Sequence, residues 1–452
     1  MLTYEMLDKD QLALVDRIYE VDETIVYATM GSGKTVCYLT AINELLNEKI
    51  INRVLVVAPL NPCKHVWITE HTKWEHLLHL NVGLAVGNPE HRKRVIESDA
   101  DIVVINIENL VWFLNIYGKK HNFDAICIDE LSKFGDSSNK SAKKMRGAVK
   151  TFKHRVGLTG TPVHEGFIKL YSQVMMIDGG ARLGTNKEKF LMRYFYPTDY
   201  NNYNWALKPA ADEQLLNKLG TLIYPMKDYT SVLPALIENR VDVTLSDSAA
   251  ADYSYLVKNS VLGISGGNGV VIADNAAVLS GKLEQLANGF LYDDEGAAHN
   301  LHRHKSEAFK HFIKNNWDGD SVLIFYQYQN DKDTIAKILA CLDIDYSTMD
   351  SKNGMQNFLN RTVPVLLLHP KSAGHGLNLH TGGARQILCY SPIWSHDQHK
   401  QLIGRLWRRG QTNPVNVTSF VSVNTIDETK LNRVLEKADY DKAFKEHLKS
   451  FN

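Results

Sequence analysis

The chain reads as an α/β protein with two parallel-sheet units in tandem and a helical stretch between them. Three observations carry that expectation. First, Ile25-Val26-Tyr27 runs into the small-residue loop Ala28-Thr29-Met30-Gly31-Ser32-Gly33-Lys34-Thr35. An amphipathic run with Val36, Tyr38, Leu39, Ile42, Leu45 and Leu46 follows. Second, further β-rich runs alternate with helical periodicity through the first half. Third, residues 249–293 are mostly helical in pattern, and a second strand–helix alternation starts at Ser321. Alternating βα units argue for a parallel sheet covered by helices on both faces.

The loop is the element with the clearest chemistry. Strand, glycine-containing loop and helix start, with Gly33-Lys34-Thr35 at the junction, make an anion site from backbone N–H groups and the helix N-terminus. Lys34 is placed to reach the β- and γ-phosphates of a nucleotide, and the Thr35 hydroxyl to hold Mg²⁺. Met30, Gly31 and Ser32 complete the cradle. Ala28 stands where the first glycine of this loop pattern usually sits. Upstream, residues 1–20 show helical periodicity through Leu12, Leu14, Val15 and Ile18. Gln11 is either an amide that reads the adenine edge or a surface side chain of that helix.

Val54 to Val57 is a β-rich run ending at Pro59. A helix with Trp67, Glu70 and Trp74 on related faces is expected after it. Ile102 to Ile105 is another strand. Asp124-Ala-Ile-Cys-Ile-Asp-Glu130 is a buried strand that ends in two carboxylates. Downstream of a phosphate loop, one such carboxylate suits the Mg²⁺ shell and the next the attacking water. Lys140 to Arg155 carries seven basic residues and no acid, as a solvated helix face or a phosphate-contacting segment. Leu158-Thr159-Gly160-Thr161-Pro162 follows, with hydroxyls suited to couple a phosphate site to another surface. Residues 165–239 are aromatic-rich and read as irregular.

In the second half, Val322 to Tyr326, Val363 to Leu368, Gln386 to Tyr390 and Val415 to Val421 read as strands. Ile335, Ile338 and Leu339 mark a helix. This unit has no phosphate loop. It offers Gln401-Leu-Ile-Gly-Arg405-Leu-Trp-Arg408-Arg-Gly-Gln411, with Arg405 and Arg408 expected on one helix face. Planar guanidinium groups suit a developing phosphoryl transition state.

Composition bounds the rest. A length of 452 residues suits two or three domains, and 44% hydrophobic with 23% charged residues fits a globular protein. Formal net charge is zero, so nucleic acid is neither favoured nor excluded by global charge. Five scattered cysteines show no metal-ligand spacing, and Cys127 and Cys389 read as buried thiols in a reducing compartment. His302, His304 and His311 form no convincing metal set. No signal peptide or membrane span of roughly 20 apolar residues is visible. A cytoplasmic protein without membrane partners is expected.

The order of these motifs resembles the Swi/Snf-like branch of the superfamily-two DEAD/DEAH-box helicase-type ATPases, in the compact form found in phages and prophages. Ala28 to Thr35 is similar to motif I, Ala58-Pro59 with Trp67, Glu70 and Trp74 to motif Ia and its surroundings, and Asp129-Glu130-Leu131-Ser132 to motif II. Arg155 with Leu158 to Pro162 resembles motif III, and Val322 to Tyr326 motif IV. His369 to Leu379 resembles motif V, and Trp394, Gln398 and Gln401 to Gln411 motif VI and its approach. Thr425-Ile-Asp-Glu428 is similar to the segment that closes the second lobe. Motif II departs from the family pattern in reading Asp-Glu-Leu-Ser.

The resemblance implies two RecA-like lobes, residues 1–235 and 236–452, the second lobe proper starting at about residue 300 after a helical linker. It implies ATP and Mg²⁺ between the lobes, with Lys34, Asp129, Glu130, Gln401, Arg405 and Arg408 as the catalytic set. Arg408 would be the arginine finger. Thr35 and Asp129 would hold Mg²⁺, and Gly376 would join the nucleotide site. Pro59, Thr159, Thr161, Ser372, Gly374 and Trp394 would contact nucleic acid or couple it to ATP. The implied function is an ATP-dependent motor on DNA, duplex favoured and single strands an alternative. A strand-separating helicase is the runner-up. A further alternative is an ATP-switched loader that recruits a phage or host replication or recombination protein. If phage-encoded, the protein would work in the host cytoplasm.

Overall fold

A computed structural model describes residues 1–29, 31–136, 140–160, 167–202, 204–227, 229–263, 270–272, 276–370 and 379–434. The chain divides into two compact units, Met1–Ser231 and a second that begins at Val232.

The first unit is built on a seven-stranded sheet. Its strands are β1 (Glu23–Tyr27), β2 (Val54–Ala58), β3 (Val82–Leu84), β4 (Ile102–Asn106), β5 (Ala125–Asp129), β6 (His154–Thr159) and, after a short antiparallel hairpin of β7 (Phe195–Pro197) and β8 (Trp205–Leu207), β9 (Ile223–Pro225). The order is β3-β4-β2-β5-β6-β1-β9, and every pairing is parallel. All five residues of β2, β4 and β5 are buried, as expected of strands covered on both faces. Alternate side chains feed two separate cores. Leu55, Val57, Ile126 and Ile128 join one, and Val54, Val56, Ala125 and Cys127 join the other.

Two sequence expectations change here. Residues 167–239 are largely regular: helices Phe167–Asp178, Lys187–Tyr194 and Ala211–Leu219 bring Tyr171, Phe190, Tyr194 and Leu215 into the first core, and Phe195 of β7 joins them. Tyr196 and Tyr200, by contrast, are exposed. The stretch after Pro59 is not one helix. A three-residue turn at Leu60–Pro62 passes into a π-turn at Cys63–Trp67 and then short 3₁₀ turns.

The second unit carries β10 (Leu236–Val243), hairpins of β11 (Val261–Gly263) with β12 (Val270–Ile272) and of β13 (Phe290–Tyr292) with β14 (Ala298–Asn300), then β15 (Val322–Phe325), β16 (Tyr346–Thr348), β17 (Val365–Leu368), β18 (Gln386–Cys389) and β19 (Val415–Ser422). Its six-stranded sheet has the order β10-β19-β18-β15-β17-β16, again all parallel. Helices Asp247–Asn259 and Ala276–Asn288 lie between β10 and β15, so this unit's sheet starts at Leu236 rather than at about residue 300, and they have their own small core of Tyr253, Leu256, Leu283, Leu286, Ala287 and Leu291. β10 escaped the sequence reading because it is an edge strand with exposed Glu238, Asn239, Arg240 and Asp242. Charge on an edge guards against sheet-to-sheet pairing and removes the apolar signature. Cys37, Cys63, Cys127 and Cys389 are buried free thiols, and Cys341 is exposed. No helix among the described residues is long and apolar enough to cross a membrane.

His302 gives this unit a pH dependence. Its Nε2 bonds the Leu286 carbonyl at 2.8 Å, while Nδ1 is buried without a partner among the described residues and the ring lies 4.9 Å from that of His304. Burial, opposed by the Leu286 bond, pulls its pKa from 6.5 down to about 4. The unfolded chain therefore binds a proton that the folded chain refuses between those values. Stability should fall as pH drops from 6.5 towards 4, with no further loss from this residue below. Thermal melts of His302→Gln against the parent across that window should show a flatter acid limb for the variant; parallel curves would refute the assignment.

Candidate nucleotide site

The sheet order of the first unit creates the site. β5, β6 and β1 are neighbours, with Asp129 paired to Leu158 and Tyr27 to Thr159. Because all three strands are parallel, the segments leaving their C-terminal ends emerge at one sheet edge. The loop after Tyr27, the Asp129-Glu130 pair and Thr159 thus come together there, where ligands bind in open parallel sheets. The backbone seam is direct: Ala28 N donates to Thr159 O at 3.1 Å.

The loop has the backbone that its glycines permit. Gly31 and Gly33 have φ of 80° and 88°, and Gly33 is the N-cap of the helix Lys34–Asn47 without any side-chain cap. The first N–H groups of a helix lack intrahelical partners, so this start is left to satisfy an external acceptor. The Thr29 and Ser32 hydroxyls are buried with no hydrogen-bond partner among the described residues. Orphaned donors around a helix N-terminus fit a polyphosphate. Lys34 and Thr35 are half-buried at the same start. Met30 lies outside the described residues.

Gln11 is not a surface side chain; it is 6% exposed. It forms a capping box with Asp8: Asp8 N donates to Gln11 Oε1 at 3.0 Å and Gln11 N to Asp8 Oδ1 at 2.8 Å. Its Nε2 donates to Ser32 O at 3.1 Å. The helix Lys9–Glu20 is thereby tied to the phosphate loop. A Cβ on Gly33 would fall 2.2 Å from Gln11 Nε2. Gly33→Ala should therefore displace Gln11 and strain a left-handed backbone, at about 1–2 kcal/mol. The expected result is a lower melting temperature together with roughly tenfold weaker nucleotide binding by fluorescence titration. Unchanged affinity would mean the loop tolerates another backbone.

At the end of β5, Asp129 and Glu130 are 7% and 8% exposed. Glu130 adopts φ 55°, ψ 52°, a left-handed conformation that a non-glycine residue holds at a cost of roughly 1–3 kcal/mol. Its N–H donates to Asp129 Oδ1 at 3.0 Å, and the Trp67 indole N–H donates to Asp129 Oδ2 at 3.0 Å. Burial, with a smaller contribution from Asp129, pushes the Cys63 thiol up to about 12. Among the described residues no group of three or more His, Cys, Asp or Glu could hold a metal. A carboxylate with a phosphate loop nearby suits Mg²⁺, which is typically held through one or two carboxylates, substrate phosphates and water. Thr35 and Asp129 fit that donor set. From sequence Trp67 reads as a helix-face residue and a motif Ia neighbour; its bond to Asp129 links residues 62 positions apart, and no local pattern announces it.

Pro59 is buried at the N-cap of the turn Leu60–Pro62. Arg155 lies away from the site edge. It sits opposite Glu23 at the start of β6 and pairs with its carboxylate, while Nε donates to Ile177 O at 2.7 Å. Lys140, Lys143 and Lys144 are the exposed face of the helix Lys140–Ala148, whose Ala142, Met145 and Ala148 are buried.

In the second unit, the helix His396–Ile403 ends with Gly404 as C-cap. Gln401 is therefore helical, but Arg405 and Arg408 are not on a shared helix face. They lie in the turns that follow, closed by bonds such as Arg405 N to Leu402 O at 3.1 Å and Gln411 N to Arg408 O at 3.0 Å. Arg405 is 0% exposed and Arg408 half-buried. Burial first, and the Arg408 charge second, lower the His380 pKa. The Trp394 indole donates to Glu284 of the helical insertion, and Lys430 Nζ stands 5.6 Å from its ring. Thr161, Ser372, Gly374 and Gly376 lie outside the described residues.

A family model described as the SNF2-related domain matches residues 13–288, and one described as the helicase conserved C-terminal domain matches residues 304–410. Protein p41 of Acyrthosiphon pisum secondary endosymbiont phage 1 is 29% identical over 94% of this chain and 94% of its own. The nuclear protein STH1/NPS1 of Saccharomyces cerevisiae is 23% identical over 91% of this chain but only 32% of its own. The ISWI chromatin-remodeling complex ATPase ISW1 of the same yeast is 22% identical, with 38% of its length covered. The chain thus spans about a third of these yeast proteins. A solved structure, the Sulfolobus solfataricus SWI2/SNF2 ATPase core in complex with dsDNA, is 22% identical over 97% of this chain and 92% of that one, at a TM-score of 0.45.

Proposed function

Because the chain belongs to the SNF2-related family of helicase-type ATPases, we propose that it couples ATP hydrolysis to movement along duplex DNA. The observation that carries the nucleotide part is the shared edge of β5, β6 and β1, where a phosphate loop whose buried hydroxyls have no partner among the described residues stands beside a buried Asp-Glu pair. Lys34 and the helix start bind the β- and γ-phosphates. Glu130 orients and deprotonates the attacking water. Mg²⁺, held by Thr35 and Asp129, would neutralise phosphate charge as the γ-phosphoryl leaves. For Gln401, Arg405 and Arg408 of the second unit the family resemblance supports a catalytic role, with Arg408 as the arginine finger.

The DNA part rests on family membership and on yeast relatives of which one is by name a chromatin-remodeling ATPase. This chain covers 38% of that protein, and only the ATP-driven motor is carried over. Similarity to p41 along nearly the full chain supports a phage-encoded protein acting in the host cytoplasm. Steady-state ATPase rates with duplex DNA, single-stranded DNA and RNA, measured side by side, test the substrate. Strong stimulation by duplex, with triplex displacement and no unwinding of a forked duplex, is the expected result. Rates indifferent to nucleic acid would instead identify an ATP-switched binding protein.

A further inference from the structure

We infer that Trp67 is a positioning residue that presets the carboxylate of Asp129 for Mg²⁺, an inference that rests on the reading of Asp129 proposed above. The indole is 0% exposed and sits at the end of the π-turn Cys63–Trp67, which leaves the C-terminal end of β2 beside β5. π-turns are rare and concentrate at functional sites. This one is anchored at its start by Cys63 Sγ, which bonds Ala58 O and Ile105 O, both at 3.4 Å. The Tyr38 ring packs edge-on to the indole at 5.9 Å.

An indole N–H can only donate. It gives its one hydrogen to Asp129 Oδ2, while Glu130 N–H gives its own to Oδ1, each at 3.0 Å. These two hydrogen bonds, one to each oxygen, hold the carboxyl plane. Partners that hold a ligating carboxylate tune metal affinity, and their loss typically costs about 10–100-fold. A phenyl ring at position 67 would fill most of the space and leave Oδ2 without this donor.

The test uses the full chain, a fluorescent N-methylanthraniloyl ATP and Mg²⁺ as the titrant. Trp67→Phe should bind nucleotide in EDTA within about twofold of the parent, yet need at least about tenfold more Mg²⁺ for half-maximal tightening. Tyr38→Leu, which disturbs the same packing but keeps the indole donor, should lower the melting temperature without that shift. An equal shift in Tyr38→Leu, or none in Trp67→Phe, overturns the inference. Asp129→Asn separates it from its premise: if that variant keeps the parent's Mg²⁺ dependence, the reading of Asp129 itself fails. If it loses it while Trp67→Phe does not, positioning alone fails. A readout independent of folding in Trp67→Phe is the ¹⁵N-indole spectrum of the seven tryptophans. One resonance should move when Asp129 becomes Asn, and no movement would overturn the inference.

Discussion

Glu130→Gln should lower ATP turnover by about 10²–10⁴-fold, the usual contribution of a positioned general base, while nucleotide affinity stays near that of the parent. Glu130 is 8% exposed and follows directly on a strand whose every residue is buried. Glutamine has nearly the same volume and keeps the backbone N–H that donates to Asp129 Oδ1. What it lacks is the capacity to take a proton from water. The left-handed φ of 55° at this residue persists in either form, so the substitution adds no backbone cost. Steady-state turnover with duplex DNA and a direct titration of fluorescent nucleotide would be measured on the same preparation. A variant that binds and still turns over at the parental rate would remove Glu130 from the chemistry. A variant that loses both would show that the residue holds the loop rather than the water.

How much of this site could be read in advance follows from where its signals lie. Strands covered on both faces announce themselves as continuous apolar runs, and Val54 to Val57, Ala125 to Ile128 and Val322 to Phe325 were all legible for that reason. The phosphate loop was legible because its glycines, lysine and threonine are contiguous. β10 was hidden, since an edge strand rich in Glu, Asn, Arg and Asp looks like a loop. The turns of Arg405 and Arg408 were misread as helix because three-residue spacing fits a helix equally well, and the helix stops at a glycine inside the pattern. The role of Gln11 in tying a helix to the loop, and that of Trp67 in holding Asp129, depend on contacts 21 and 62 residues apart. Such contacts exist only once the sheet has assembled.

The two arginines of the second unit should separate under substitution. Arg405 is wholly buried, and truncating a large buried side chain to alanine leaves a cavity, typically at about 2–5 kcal/mol. Arg405→Ala should therefore lower the melting temperature, and its turnover should fall further than the folded fraction does, because Arg405 also belongs to the proposed catalytic set. Arg408 is half-buried in a turn that ends at Gly410, whose φ is 95°. Its loss should leave the melting temperature near the parent's. If it supplies the finger, Arg408→Ala should cut turnover by about 10³–10⁵-fold with nucleotide binding to the phosphate loop retained. Arg408→Lys should not restore the rate, because an ammonium lacks the planar fork that spans two phosphoryl oxygens. Thermal melts, nucleotide titration and DNA-stimulated turnover on the three variants distinguish these roles. Parental turnover in Arg408→Ala would mean that the phosphate loop, Asp129 and Glu130 suffice for hydrolysis, and that the second unit acts on DNA rather than on the nucleotide.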